Sequence, residues 1–525
     1  MNIKKYFKQS AVQASIIFMV SAFISRLLGL ARDILFSAYF GTTHAADALN
    51  ATLPITFVVQ NIVASAIALS FIPLFIDALN RSREKTVRDF NVVFSYFLVG
   101  LFFSLLLLGV FSFQIVHVLT PGFTEYSLIS LTARLVDFFA IISFFWAITN
   151  FLYAVSHAHK NFLVTALVPL ILNVSIIAGL LFWHNSLGVF SYTTGMLIGS
   201  IIQAFVMLFY TRHALSIKFS WNFNPKGTVL GMLIILSIPL IIQQFSGYVV
   251  TVVSNNIASH LREGSIASLG YANKLRQFAI GILTVPLATS YYPFLSEAAT
   301  KKNMKELGNI FSKSIRFASF FIVPIMFIFI VFDKTIVTIV FQRGVFGMEA
   351  VALTARPFQF YSLGIFAAMI TVVSMRVFFA MKDMWTPTII SLVVAVFDIV
   401  VMGMLVKIYA HAGIALAVSI GLYLYMFLLL FFLRKKVGFL GSKKIVVSIS
   451  KFLAGSVIGI IIMYYSFRRI ESFLPAINWY VAMNFFASFS LFSLAYLTVL
   501  YLLKADEMTS AYFVMKKLKN KLKGK

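Results

Sequence analysis

The chain has 525 residues, of which 60% are hydrophobic and only 11% charged, with a mean hydropathy of +0.94. A soluble domain carries roughly 25% charged residues to coat its surface, so composition excludes a water-soluble globule and points to a polytopic helical protein whose apolar faces meet lipid. A net charge of +26 would suggest nucleic acid in a soluble protein; here its placement along the chain reads as a topology signal, and no nucleic-acid partner is expected.

The basic start, MNIKKYFKQS, is followed from Ser15 by an apolar stretch that is too long and too charged for a cleaved signal, and reads as a retained first span. About 20 apolar residues cross a bilayer core as helix. On that ruler the chain carries roughly 14 spans, near 15–40, 49–77, 91–118, 128–154, 162–183, 190–211, 229–254, 266–294, 311–340, 351–379, 387–408, 412–433, 445–467 and 475–503. With the N-terminus placed in the cytoplasm, loops on that side hold 28 Lys and Arg, among them Lys4, Arg83, Lys160, Lys218, Lys301, Lys382, Lys436 and the tail Lys504 to Lys525. The opposite loops hold five: Arg262, Arg343, Lys407, Arg468 and Arg469. The positive-inside rule reads this as both termini cytoplasmic. The tail MKKLKNKLKGK reads as an anchor on anionic lipid.

The chain also repeats itself. LTARLVDFFAI at Leu131 matches LTARPFQFYSL at Leu353, SFIPLF at Ser70 matches SYYPFL at Ser290, and Lys160 matches Lys382, at offsets of 220 to 222 residues. Spans 1–6 and 7–12 are therefore two halves entering the membrane from the same side, with spans 13–14 appended. The expected architecture is an all-α membrane protein: two parallel six-helix repeats, residues 1–214 and 215–438, then a helix pair and basic tail, 439–525. In such repeats the binding site lies between the halves.

A charge at mid-bilayer costs about 2.5–3.5 kcal/mol on insertion scales, so charged residues inside spans should face a wet cavity or a partner. Among them are Arg26, Arg32 and Asp33 in span 1, Arg134 and Asp137 in span 4, Lys274 and Arg276 in span 8, Arg356 and Arg376 in span 10, and Asp398 in span 11; in this set seven cations face three anions. In span 1, residues seven apart nearly coincide in azimuth, so Arg26 shares a row with Asp33, and Ser25 with Arg32, beside Gly29. Arg26–Asp33 and Arg134–Asp137 could clamp helices together; the set as a whole reads as a cationic cavity for an anion, and the arginine fork suits phosphate oxygens. There is no Walker A motif, Ser-His-Asp spacing or cysteine, and the pair His157 and His159 makes a poor metal site. No enzymatic activity, cofactor or metal is expected.

SRLLGLARDILFSAYFG from Ser25, AADAL from Ala45, SFIPLF and GSIASLGYANKL from Gly264 resemble the MviN/MurJ family of the multidrug/oligosaccharidyl-lipid/polysaccharide exporter superfamily. The resemblance implies a multi-pass protein of the bacterial cytoplasmic membrane that flips lipid II, the undecaprenyl-diphosphate-linked peptidoglycan precursor. It implies two lobes rocking around a cationic cavity, a groove for the lipid tail along spans 13–14, and cell-wall synthesis proteins as further partners. It assigns substrate contacts to Arg26, Arg32, Asp33, Asp47 and Lys274 (an arginine in most members); Arg276 and Arg356 join the set as in-membrane cations. The chain departs from the family pattern at Val58-Val59, where paired arginines are common, at Ala64-Ser65, where Glu-Gly is common, and at Asn273 and Gln277, acidic positions elsewhere. Ser254 stands near an aspartate that holds sodium in some members. These departures keep open another polyprenyl-diphosphate-linked oligosaccharide as cargo; a drug/cation antiporter would want an acidic cavity instead.

The absence of native cysteine makes the orientation directly testable. Lys443→Cys is expected to react with a membrane-impermeant maleimide only from the cytoplasmic side, and Arg262→Cys only from the opposite side; the reverse pattern would invert the topology.

Overall fold

The computed structural model describes residues 11–57, 71, 74–75, 82–159, 163–213, 215, 217–472 and 478–508. The expected positions Lys160, Val58, Val59, Ala64, Ser65 and the tail beyond residue 508 lie outside them. The described residues form helices throughout: α1 (Ala11–Phe40), α2 (His44–Phe57), α3 (Arg83–Val110), α4 (Ser112–Leu119), α5 (Tyr126–Ala158), α6 (Leu163–Leu187), α7 (Phe190–His213) and α8 (Leu230–Ser259). They continue as α9 (Ser265–Thr300), α10 (Met304–Val331), α11 (Asp333–Phe341), α12 (Met348–Leu363), α13 (Ile365–Ala380), α14 (Trp385–Tyr409), α15 (His411–Val437), α16 (Ser442–Glu471) and α17 (Asn478–Leu502). Among the described residues 11 helices are long and apolar enough to cross a membrane, or 12 when α12 and α13 count as one bent span. The second expected span runs into undescribed residues. This is a multi-pass, all-α membrane protein.

Two compact units emerge, residues 1–270 with 343–346, and residues 271–342 with 347–525. The first is built on α6 against α7, with α1 on α6 and α2 on α5. Small residues let α6 and α7 approach: a Cβ on Gly195 would stand 2.5 Å from the Ser175 carbonyl oxygen and 2.9 Å from the Ile176 Cα. Between helices in lipid, where no hydrophobic force drives association, such close packing is a main source of affinity. Beside it lies an aromatic core in which Phe71, Phe90, Phe94 and Phe97 each pair with Phe151.

In the second unit α10, α13 and α15 share one apolar core, and α16 packs on α17 and α10. The appended pair is pinned at its end by charge: Arg316 of α10 meets Glu507 at 2.6 Å, Ser448 Oγ donates to the same carboxylate at 2.9 Å, and the Tyr496 hydroxyl donates to the Phe320 carbonyl at 2.7 Å.

Sequence periodicity shows spans 3, 9 and 10 as continuous, but each is broken. Spans 3 and 9 break at Phe111 and Phe332, 221 residues apart and therefore at the repeat offset. Span 10 bends by 45° at Gly364. Carbonyls freed at a bend in hydrocarbon need new donors; here Ser419 Oγ reaches the Phe360 carbonyl at 2.7 Å and the Tyr423 hydroxyl the Leu363 carbonyl at 3.1 Å.

Gly195→Val should destabilise the first unit by about 1–3 kcal/mol, the usual overpacking penalty. A detergent melting curve would show it; an unchanged melting temperature would mean that α6 and α7 do not need their close approach.

Candidate functional site

The polar arc of α1 forms, with different pairing than its azimuths suggest. Arg32 turns onto its neighbour: Nε and Nη2 donate to Asp33 Oδ1 at 3.2 and 3.0 Å. Its Nη1 donates to Asn173 Oδ1 of α6 at 3.2 Å, and Asn173 Nδ2 donates back to Ser25 Oγ and the Ser25 carbonyl, both at 3.2 Å. The guanidinium carbon lies 5.8 Å from the Tyr192 ring centroid of α7. One arginine thus ties α1 to α6 and faces α7, with three of its nitrogens occupied. Arg26, one helical row away, makes no ion pair among the described residues and is partly exposed. Of the two span 1 arginines, Arg26 is the one open to a ligand. The Arg26–Asp33 clamp is replaced by Arg32–Asp33, and Arg134 makes no ion pair with Asp137, whose Oδ1 is buried without a hydrogen bond.

Asp47 does different work. It is 3% exposed, and both oxygens accept backbone N–H groups, Oδ2 from Gly264 and Oδ1 from Ala267, each at 2.7 Å. It caps the N-terminus of α9 from across the fold, where a carboxylate meets the exposed amides and positive end of the helix dipole. Gly264 has φ +83 and a Cβ there would meet the Thr42 carbonyl at 2.6 Å, so the turn that presents these amides needs glycine. Asp47 is a positioning residue in this arrangement.

In the second unit, Arg276 of α9 donates from Nη2 to Asn273 Oδ1 at 2.7 Å and sits 4.7 Å from the Tyr361 ring centroid of α12. Its Nε and Nη1 are buried with no hydrogen-bond partner among the described residues. A guanidinium desolvated with two unfilled donors is costly, and a phosphate supplies acceptors of the right sign and geometry. Asn273 matters here: an acid at that place would neutralise the guanidinium, whereas the amide orients it and leaves its charge. Lys274 Nζ lies 5.4 Å from the Tyr271 ring. Arg356 is exposed, donates to Gln359 Oε1 at 3.1 Å and stacks 4.9 Å from Phe360; Arg376 lies 5.6 Å from Tyr292. Asp398 is buried with Oδ1 unpartnered, against Gly421 of α15.

The histidine pair is engaged separately. His157 Nε2 meets Thr165 Oγ1 at 3.1 Å, and His159 Nδ1–H donates to the Val155 carbonyl at 2.9 Å; burial pushes the His159 imidazole below its usual range. Sequence reasoning missed Asn173, although a lone amide in the apolar run LVPLILNVSII was a visible signal.

The helical arrangement shares its fold with solved structures of membrane transporters. A solved structure titled as the inward-closed conformation of lipid II flippase MurJ superposes with a TM-score of 0.79, 23% identity, and 94% of this chain and 100% of that one covered. An inward-facing multidrug resistance MATE family transporter of the MOP superfamily gives 0.68, at 11% identity over 81% and 98%. The model of the lipid II flippase MurJ family matches residues 36–513, and the chain belongs to that family. A probable lipid II flippase MurJ from Borreliella burgdorferi is 24% identical over 487 residues, covering 90% of this chain and 92% of the relative. One from Buchnera aphidicola subsp. Acyrthosiphon pisum is 27% identical over 406 residues, covering 75% and 78%.

Asp47→Ala strands two buried amides and should cost about 1–3 kcal/mol, with Asp47→Asn losing less. A thermal-shift series would rank them; equal stability of Asp47→Ala and wild type would exclude the cap.

Proposed function

We propose that this protein translocates lipid II from the inner to the outer leaflet of the bacterial cytoplasmic membrane, by giving its in-membrane cations alternating access to the two sides. Family membership over residues 36–513 supports the cargo. The observation that carries the chemistry is the half-buried Arg276, whose Nε and Nη1 are buried with no hydrogen-bond partner among the described residues; separately, in the first unit, Arg26 makes no ion pair among the described residues.

The physical task is to carry a diphosphate and its sugars through hydrocarbon, which is prohibitive without replacement of their hydration. Charge-assisted N–H donors supply that replacement. Release requires that the donors bind the phosphates less well in one state than in the other. Arg32, already bound by Asp33 and Asn173, keeps α1 in register, and Asp47 holds the start of α9, the helix that carries Lys274 and Arg276. On this reading residues 1–214 and 215–438 are the alternating repeats, both termini are cytoplasmic, and 439–525 is the appended pair with its tail; cell-wall synthesis proteins are its neighbours in the membrane.

Arg26→Ala is expected to slow lipid II flipping in proteoliposomes at least about tenfold, a loss of one charge-assisted contact, while Arg469→Ala leaves it unchanged. Unaltered flipping by Arg26→Ala would remove Arg26 from the site. Replacement of a host's own lipid II flippase by this gene is expected to sustain growth; failure, with the protein correctly inserted, would move the cargo to another polyprenyl-diphosphate glycan.

A further inference from the structure

The link between α7 and α8 is built as a ladder rung by rung on α3. From Ile217 to Pro225 it forms neither helix nor strand, and α3 supplies its partners from residues 88, 91, 95 and 96, the first three on one helical face. Ser220 N–H donates to Asn91 Oδ1 at 3.0 Å, and Asn91 Nδ2 returns a bond to Ser220 Oγ at 2.9 Å. Asn222 N–H donates to Ser95 Oγ at 3.0 Å, the Tyr96 hydroxyl donates to the Phe223 carbonyl at 3.0 Å, and Arg88 Nη2 donates to the Lys226 carbonyl at 2.8 Å. These bonds explain why a membrane helix carries Asn91 and Ser95.

They also fix what the strap shows to its surroundings. Phe219, Trp221 and Phe223 stand at alternate positions of the strap, and their rings neighbour one another. Their rings form a run: Phe219 to Trp221 at 5.0 Å, Trp221 to Phe223 at 5.8 Å, braced by Phe94 and Tyr96 at 5.2 and 5.6 Å. Yet Trp221 is 60% exposed and Phe223 50%, and the Trp221 indole N–H has no hydrogen-bond partner among the described residues. The strap itself carries Lys218 and Lys226, and the start of α3 carries Arg83, Lys85 and Arg88 against Glu84 and Asp89, with Arg88 bonded to the strap. Beyond Tyr96, about 9 Å further along α3 at 1.5 Å per residue, the exposed Phe102, Phe103, Leu106 and Leu107 begin the lipid-facing stretch. The strap therefore lies where charged helix start gives way to hydrocarbon-facing helix.

We propose that the strap 217–226 is a binding site for the headgroups of anionic phospholipids. The aromatic run sits at the depth where amphipathic rings are favoured; the indole N–H and the ammonium groups of Lys218 and Lys226 donate to phosphate oxygens, and the cations select a negatively charged leaflet. Because the strap is bonded to α3 throughout, its hold on the leaflet fixes the height of α3 and of the α7–α8 link together.

The test uses full-length protein in vesicles of phosphatidylcholine or phosphatidylglycerol brominated near the glycerol end of the acyl chains. The Trp221 signal is the difference in emission between wild type and Trp221→Phe, a substitution that keeps a ring in place. It should be quenched in both lipids and roughly two-fold or more strongly in phosphatidylglycerol, with the preference lost in Lys218→Ala/Lys226→Ala. No quenching of Trp221 in either lipid would place the strap in water or against a protein, and equal quenching in both lipids, unmoved by the lysine changes, would remove anionic selection; either result overturns the proposal.

Discussion

Hydrocarbon offers no hydrogen bonds, so every polar group that this chain carries into the membrane must be satisfied inside the protein or held for a ligand. The two best-defined arginines show both solutions. Arg32 is closed by Asp33 and Asn173 and has become part of the helix–helix joint. Arg276 is closed on one nitrogen by Asn273 and keeps two buried nitrogens without a hydrogen-bond partner among the described residues. The same rule explains smaller features: the hydroxyls of Ser419 and Tyr423 at the Gly364 bend, Asp47 on the amides of α9, and Asn91 and Ser95 under the strap.

Much of the fold was legible because its signals are local. An apolar run of 20 residues is a span wherever it occurs, and the described helices fall where those runs lie. LTAR recurs at Leu131 and Leu353, and the helices break at Phe111 and Phe332, at nearly the same offset. The bend at Gly364 was not legible. It depends on Ser419 and Tyr423, some sixty residues away, and the matching span in the first repeat, α5, runs unbroken.

The pairing within the candidate site was not legible. Helical azimuth places Arg26 over Asp33, but azimuth describes where a side chain leaves the backbone, and a long arginine can fold onto an adjacent carboxylate. Asp47 carried a family signature without a mechanism, since its partners at Gly264 and Ala267 are brought near only by the fold. Asn273 read as a lost acid; beside Arg276 it reads as the change that leaves a half-buried cation without an acidic partner among the described residues, and so strengthens the case for an anionic cargo.

That case stands or falls on the recognition of charge. Titration of purified protein with undecaprenyl diphosphate and with undecaprenyl monophosphate, read by native mass spectrometry in detergent, compares two ligands with the same tail. Unfilled arginine donors require the diphosphate to bind at least about tenfold more tightly, a difference of about 1.4 kcal/mol; equal affinities would mean that the tail alone is recognised and that the in-membrane cations serve the fold.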